Sequence, residues 1–297
     1  MRRKKTSNLR WIENLSLEYR YGDLGDKKFS EAAVKDVGAV VHCAGIVHAA
    51  SRNEYFKANA ENTKNLCEAV LKVSPGLKKF IFISSQAVMG PSDASSVKKV
   101  TDKNNPVSDY GLSKLAAESE VKKILCGKVP HIILRPAAVY GPRDKDIFIF
   151  FNLVHKHFRL TAMTKRFLQL IYVKDVANAV TSCLENKKTD NNTYYLANSA
   201  VYTWSEIGRT ISSSAGVKTI PLPVVDFVFK FVTIVAESLS YITKKPAVLN
   251  RQKIIEMLQQ YWTADTEPAK NDLNIKFTSL EVASEITYNW YLSNKFF

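Results

Sequence analysis

At 297 residues with 46% hydrophobic content, the chain is long enough for one large α/β domain, or a main domain with a small companion, and for a sizeable core. Its formal charge of +14 suits anionic ligands such as nucleotides, lipid headgroups or nucleic acid, but the basic residues fall in short groups such as Lys78-Lys79, Lys122-Lys123 and Lys244-Lys245, as on a solvated surface, and no nucleic-acid-binding motif accompanies them. Four cysteines, at 43, 67, 126 and 183, have neither CxxC nor metal-ligand spacing, which argues against a disulfide framework or a metal site and for small core residues in a reducing, cytoplasmic compartment.

In chain order, Met1-Arg-Arg-Lys-Lys5 is basic, but Thr6 to Glu13 is no apolar h-region, so no secretory signal is expected. Leu17-Glu-Tyr-Arg-Tyr21 is a candidate strand closed by Gly22-Asp23, and residues 28–36 a short helix. Gly38-Ala-Val-Val-His-Cys43 is the next strand, ending at Ala44-Gly45, and helix signal spans 53–72. Phe80-Ile-Phe-Ile83, within a strand at 79–84, is wholly apolar and β-favouring, the mark of a parallel strand buried on both faces. Tyr110 opens a helix to about 126, supported by Ala116, Ala117, Glu118 and Glu120, and His131-Ile-Ile-Leu-Arg135 is another buried strand.

Past Pro142 the pattern loosens. Phe167 to Val173 is strand-like, Asp175 is a candidate N-cap for a helix to Glu185, and Tyr194-Tyr-Leu-Ala197 is strand-like. Thr203-Trp-Ser-Glu206 has capping-box spacing for a helix through Ser213, and the last third is expected to be mostly helical. Within it, 220–243 is the most apolar stretch, interrupted by Asp226, Lys230 and Glu237, which lie four and seven apart and so form one polar stripe. A helix packed on the core is expected there, with a helix lying in a membrane interface as the alternative. Alternating strand and helix predicts a parallel sheet covered on both faces.

Tyr110-Gly-Leu-Ser-Lys114 carries the chemistry. Residues i and i+4 share a helix face, so the Lys114 ammonium is expected beside the Tyr110 phenol, bringing its pKa down from about 10. Ser84-Ser85 ends a buried strand, at the sheet edge where open α/β folds bind ligands. Phenol, ammonium and hydroxyl together make a proton-transfer site, although a bare YxxxK also fits an ordinary helix.

In that order, Tyr21-Gly-Asp-Leu24, Val41-His-Cys-Ala-Gly45, Asn59, Ile81-Phe-Ile-Ser-Ser-Gln-Ala-Val-Met-Gly-Pro91, Tyr110-Gly-Leu-Ser-Lys114, Leu134-Arg-Pro-Ala-Ala-Val-Tyr-Gly-Pro142 and Tyr172-Val-Lys-Asp-Val-Ala177 resemble the extended short-chain dehydrogenase/reductase superfamily. Within it the chain is similar to the NAD-dependent epimerase/dehydratase and 3β-hydroxysteroid-dehydrogenase-like branch, over about residues 6–293. The resemblance implies a Rossmann-like doubly wound parallel sheet, with a dinucleotide-binding core over 1–145 plus 167–186 and a smaller, mostly helical substrate lobe over 146–166 and 187–297. It implies NAD or NADP as cofactor, hydride transfer at an alcohol or ketone carbon, and a homodimer paired through the Tyr110 helix.

Carried over residue by residue, Tyr110 would be the acid/base, Lys114 would hold the nicotinamide ribose, and Ser85 would bind the substrate oxygen. Asp23 and Leu24 would lie near adenine, Ala44 and Gly45 under the adenosine ribose and phosphates, and Asn59 and Pro136 beside the cofactor. Ser84, Gln86 and Arg143 are candidate substrate contacts, and Arg2, Arg3 and Ser7 candidate partners of an NADP 2′-phosphate. Two departures stand out. No Gly-x-Gly-x-x-Gly occurs among the 11 glycines, and the opening residues resemble the family just after its second strand. Truncation of roughly 30 residues is therefore expected, with a remodelled short form as the rival. Gln86-Ala87 stand where sugar dehydratases carry an Asp-Glu pair, which disfavours dehydration, and the greasy 220–243 segment leans toward a sterol-like or isoprenoid substrate. The alternatives are a nucleotide-sugar epimerase, a non-catalytic Rossmann-like binding or regulatory protein, and a basic protein weakly associated with membrane surfaces.

Overall fold

The computed structural model describes residues 10–94, 96–226 and 251–297. The chain forms α1 (Lys27–Val34), β1 (Ala39–His42), α2 (Arg52–Tyr55), a π turn (Phe56–Glu61), α3 (Asn62–Val73), β2 (Lys79–Ile83), a short 3-10 turn (Gln86–Val88), α4 (Asp109–Leu125), β3 (His131–Pro136) and β4 (Ala138–Tyr140). There follow α5 (Phe148–His155), β5 (Phe158–Ala162), β6 (Phe167–Leu168), β7 (Leu170–Tyr172), α6 (Val173–Glu185), β8 (Thr193–Leu196), β9 (Tyr202–Thr203), α7 (Trp204–Ser214) and β10 (Ile220–Val224). The last described elements are α8 (Arg251–Met257), β11 (Tyr261–Trp262), α9 (Glu267–Leu273) and α10 (Leu280–Ser293).

The main sheet runs β1-β2-β3-β8, every pair parallel. Because successive strand residues face opposite ways, β2 and β3 feed two cores. Phe80, Phe82 and Ile133 pack with Leu66 and Val70 of α3 and Val121 of α4, while Ile81, Ile132 and Leu134 pack with Ala179 and Cys183 of α6 and Leu273 of α9. The sheet is thus doubly wound. Helix α4 buries Ala117, Val121 and Leu125 on it, and the same stripe, continued toward the helix N-terminus, carries Lys114 and Tyr110 over the carboxyl ends of the strands. A third core, from Phe151, Val154, Trp204, Ile207, Ile211 and Tyr291, joins α5, α7 and α10 into a lobe beside the sheet.

Several expectations change. Residues 17–20 form no strand and only Tyr21 makes a β-bridge; the segment is held by Arg20, whose Nη1 donates to Ala32 O at 2.7 Å and Ala33 O at 3.3 Å, closing the carboxyl end of α1. The helix expected at 53–72 is interrupted by the π turn. The single strand expected over Phe167 to Val173 breaks at Gln169, with β6 pairing β9 and β11 while β7 pairs β4. Strand β8 lies in the main sheet although its residues fall in the expected lobe range. Asp175 is no N-cap: it sits inside the first turn of α6 and ties it to the chain before α10, accepting from Thr278 N at 2.7 Å and Thr278 Oγ1 at 2.8 Å.

Ile220-Pro-Leu-Pro-Val224, at the start of the apolar stretch expected to be helical, is a strand on β5. Ile220 N donates to His157 O at 2.9 Å, and the alternating Pro221 and Pro223 leave the outer edge without N–H donors, which suits an edge strand. Asp226 pairs with Arg166 at 2.6 Å, while Lys230, Glu237 and the rest of the apolar segment lie outside the described residues. Cys67 and Cys183 are buried as expected, but Cys43 and Cys126 are exposed. No helix among the described residues is long and apolar enough to cross a membrane.

Candidate active site

The N-terminus of α4 is capped by Ser108, whose Oγ accepts from Gly111 N at 3.0 Å, and the first turn carries Tyr110. Gly111 is required there, because a Cβ would lie 2.6 Å from Ala87 O; the close approach brings α4 against the turn that bears Ser85. Burial pushes the Tyr110 phenol above its ordinary pKa; a hydrogen bond with Ser85 opposes the rise, and the charges of Glu256 and Asp146 add to it. Tyr110 is therefore a protonated phenol at neutral pH, opposite to the lowering expected from Lys114. Burial brings Lys114 down to about 8, against the pull of Glu118 and Cys43. Its Nζ donates to Ile83 O at 2.7 Å and stands 4.6 Å from the Phe82 ring centroid, on the β1 side of the site.

The two serines divide their work. Ser85 Oγ caps the 3-10 turn, accepting from Ala87 N at 3.1 Å, and faces Tyr110. Ser84 Oγ instead donates to Glu118 Oε1 at 2.5 Å, and Glu118 takes a bidentate pair from buried Arg135 at 2.9 and 2.7 Å. With its hydroxyl committed to Glu118, Ser84 acts as a buried strut, although the residue also lines the cleft described below. Gln86 is buried and lines the cleft described below, as does Pro136 at the end of β3. Arg143 does not reach it: at φ 75° its guanidinium is directed over Trp11, 5.4 Å from the ring centroid.

Beyond the end of β1 lie exposed Ala44 and Gly45. A Cβ on Gly45 would come 2.9 Å from Asn59 Oδ1 and 3.7 Å from Lys114 Nζ, so only glycine keeps this cradle open. Asn59 spends its whole amide on protein: Oδ1 accepts from Ile46 N at 2.8 Å, and Nδ2 donates to Ile46 O at 3.1 Å and Ser113 Oγ at 2.9 Å. These bonds position the Gly45 loop, at whose cradle Asn59 Oδ1 stands. Asp23 Oδ1 accepts from Gly25 N at 2.9 Å in a turn, and Leu24 is buried in the core. Lys114, with three donors and one given to Ile83 O, and the open Gly45 cradle fit the nicotinamide-ribose side of a dinucleotide. The glycine-rich turn that would hold a pyrophosphate has no counterpart in the sequence.

Other positioning residues are not evident from sequence. His42 Nε2 donates to Thr63 Oγ1 at 2.8 Å, Thr63 to Asn59 O at 2.5 Å, Asn59 to Ser113, and Ser113 Oγ to Tyr110 O at 2.8 Å. This chain of bonds links the end of β1 to the backbone of Tyr110. Because Thr63 gives its only proton to Asn59 O, His42 must be the donor to it, and burial holds the ring neutral with a pKa of about 3. From the lobe, α8 docks on the start of α4: Ser108 Oγ bonds Glu256, and Asp109 N donates to Gln252 Oε1 at 2.8 Å.

Tyr110, Ser85 and Gln86 face a cleft of about 390 Å³. Its walls include Phe150, Phe167, Leu168, Trp204, Met257 and Trp262, brought together from α5, β6, α7, α8 and β11. Three carboxylates, Asp144, Asp146 and Glu256, also line it, against two cations, Arg166 and Lys253. Among the described residues, the high positive charge of the chain is not concentrated here.

A model of the NAD-dependent epimerase/dehydratase family matches residues 1–197. The UDP-glucose 4-epimerase of Vibrio cholerae is 28% identical over 225 residues, 72% of this chain and 68% of that protein. The ceramide reductase of Caulobacter vibrioides is 24% identical over 280 residues, 94% of this chain and 81% of that protein. The crystal structure of the Thermotoga maritima UDP-glucose 4-epimerase with UDP-glucose is similar with a TM-score of 0.75 at 20% identity, covering 96% of this chain and 88% of that one, which shows the shared fold. The family match spans the doubly wound sheet and the Tyr110 helix, and the chain belongs to the NAD-dependent epimerase/dehydratase family of enzymes.

Proposed function

We propose that the protein is an NAD(P)-dependent reductase or dehydrogenase acting at an alcohol or ketone carbon of a hydrophobic substrate. The observation that carries this reading is the pairing of Tyr110 with Ser85 in a cleft walled by aromatic and aliphatic side chains, with no excess of positive charge. When bound, the dinucleotide supplies or accepts a hydride at that carbon. Ser85 holds the substrate oxygen, and Tyr110, protonated at neutral pH, donates a proton to it in the reductive direction. Lys114 binds the nicotinamide ribose, and its charge eases formation of the phenolate in the reverse direction. The ceramide reductase, similar over 94% of this chain, supports a lipid-like substrate.

A second reading, nucleotide-sugar epimerase, is favoured by the Vibrio relative. It fits the cleft less well, since among the described residues a diphosphate would meet three carboxylates and two cations. The test is to incubate the protein with NADH or NADPH and either progesterone, a long-chain alkyl ketone or UDP-glucose, following nicotinamide absorbance and sugar isomerisation. Reduction of a hydrophobic ketone, lost in Tyr110→Phe, is expected. Unchanged turnover in that variant removes Tyr110 from the chemistry, and interconversion of UDP-glucose without ketone reduction selects the epimerase.

A further inference from the structure

Two buried hydrogen-bond donors in the cleft have no acceptor among the described residues: Arg166 Nε and Gln86 Nε2. Both residues are buried, Arg166 at 3% exposure and Gln86 at 6%. Leaving such a donor unpaired costs about 1–3 kcal/mol, and neighbouring cleft groups avoid the cost. Gln169 Oε1 accepts from Ala264 N at 2.7 Å, and Trp262 Nε1 donates to Glu256 O at 2.9 Å.

The Arg166 side chain and the Gln86 backbone are held in place. Arg166 Nη2 donates to Asp226 Oδ1 at 2.6 Å, and its guanidinium stands 5.6 Å from the Trp204 ring centroid. Asp226 already balances the guanidinium charge, so what Arg166 offers at Nε is a directed donor and not a free cation. Gln86 opens the 3-10 turn capped by Ser85, and its main-chain carbonyl accepts from Met89 N at 3.0 Å. Its side chain thus leaves a fixed backbone one residue from the hydroxyl assigned to the reacting oxygen.

We propose that Gln86 and Arg166 are specificity-determining donors, and that the substrate is an uncharged amphiphile with acceptor oxygens of the hydroxyl, keto or amide kind at two points on an apolar body. Gln86 reads an acceptor next to the reacting carbon, and Arg166 reads a second one against Trp204 in the lobe. The apolar body lies along Phe150, Phe167, Met257 and Trp262. This inference rests on the hydrophobic-substrate reading proposed above.

The test uses binding, without turnover. The protein is titrated with progesterone and with dodecanamide, both uncharged, and with UDP-glucose, following the fluorescence of Trp204 and Trp262. At least one neutral probe is expected to quench saturably. Arg166→Lys keeps a cation for Asp226 but removes the Nε–H, and Gln86→Leu removes the amide; each is expected to weaken that probe by about three- to tenfold, the range of one net hydrogen bond. Thermal unfolding reports whether each variant folds, and the two are independent, so loss of one fold leaves the other to decide. Unchanged affinity in both variants, with the wild type binding a neutral probe, overturns the recognition role alone. Binding of UDP-glucose and of neither neutral probe overturns the hydrophobic-substrate reading and this inference with it.

Discussion

Glu118 and Arg135 form the most buried ion pair among the described residues, with side chains 2% and 1% exposed. The pair is bidentate, and it also receives Ser84 Oγ and spreads to Tyr195 OH at 2.8 Å and Asn104 Oδ1 at 3.1 Å through Arg135 Nη1. Glu118 lies two turns beyond Tyr110 on α4, Arg135 precedes Pro136 on β3, and Ser84 follows β2, so one network sets three walls of the site against each other. Glu118→Leu strands a buried guanidinium, at a cost of about 3–5 kcal/mol. At about 2 °C per kcal/mol for a chain of this size, the unfolding midpoint should fall by roughly 6–10 °C, measured by circular dichroism. Adding Arg135→Met removes the uncompensated charge and should restore most of the loss, less about 1–2 kcal/mol for the Ser84 and Tyr195 hydroxyls left without partners. A single variant as stable as the wild type, or a double variant no better than the single, would refute this account of the network.

Tyr110→Phe should lower turnover by about a hundredfold or more while leaving dinucleotide affinity intact, as read by steady-state kinetics and calorimetry. Because burial holds Lys114 at about 8, below the ordinary ammonium value, its charge is lost as pH rises through that point; kcat/KM for ketone reduction should fall there, and Lys114→Arg should abolish the inflection. Burial holds His42 at about 3, so between the ordinary histidine value and pH 3 the unfolded chain binds a proton that the native state does not. Stability should therefore drop by a few kcal/mol as pH falls through that window, and His42→Gln should flatten the urea-unfolding profile across it. Gly45→Val should weaken dinucleotide binding more than stability, since its side chain would meet Asn59 Oδ1 beside Lys114 on an exposed loop; equal binding in the variant would exclude this cradle from the cofactor site.

The sheet was legible where strands are buried on both faces, because Phe80-Ile-Phe-Ile83 and Ile132-Ile-Leu134 are continuous apolar runs with no polar position inside them. It was less legible where pairing depends on a neighbour. Leu17 to Tyr21 has strand composition, but propensity alone does not supply a partner, and Arg20 is drawn to the end of α1 instead. Phe167 to Val173 has the composition of one strand, yet the Gln169 side chain bonds Ala264 N and the flanking residues join different sheets. The π turn was invisible for a similar reason: the Asn59 side chain in it bonds a loop 13 residues away and a helix 54 residues away.

The same distinction separates chemistry from specificity in the site. Tyr110 and Lys114 are four residues apart on one helix, so a short-range rule could place both, and Ser85 followed from its position at the end of a visible strand. The rule could not give their electrostatics. Sequence spacing predicts an ammonium beside the phenol, whereas the fold directs Lys114 toward the Ile83 carbonyl and the Gly45 cradle, leaving burial to dominate Tyr110. Under the proposed reductase reading, a Tyr110 held protonated by burial is suited to give a proton to a carbonyl. The cleft wall, in contrast, is assembled from residues as distant in sequence as Gln86, Arg166, Trp204 and Glu256, which meet only once β6, α7 and α8 have closed over the strand ends. No local pattern encodes such a meeting, so the sequence could announce the family's Tyr-Lys-Ser set while withholding the substrate.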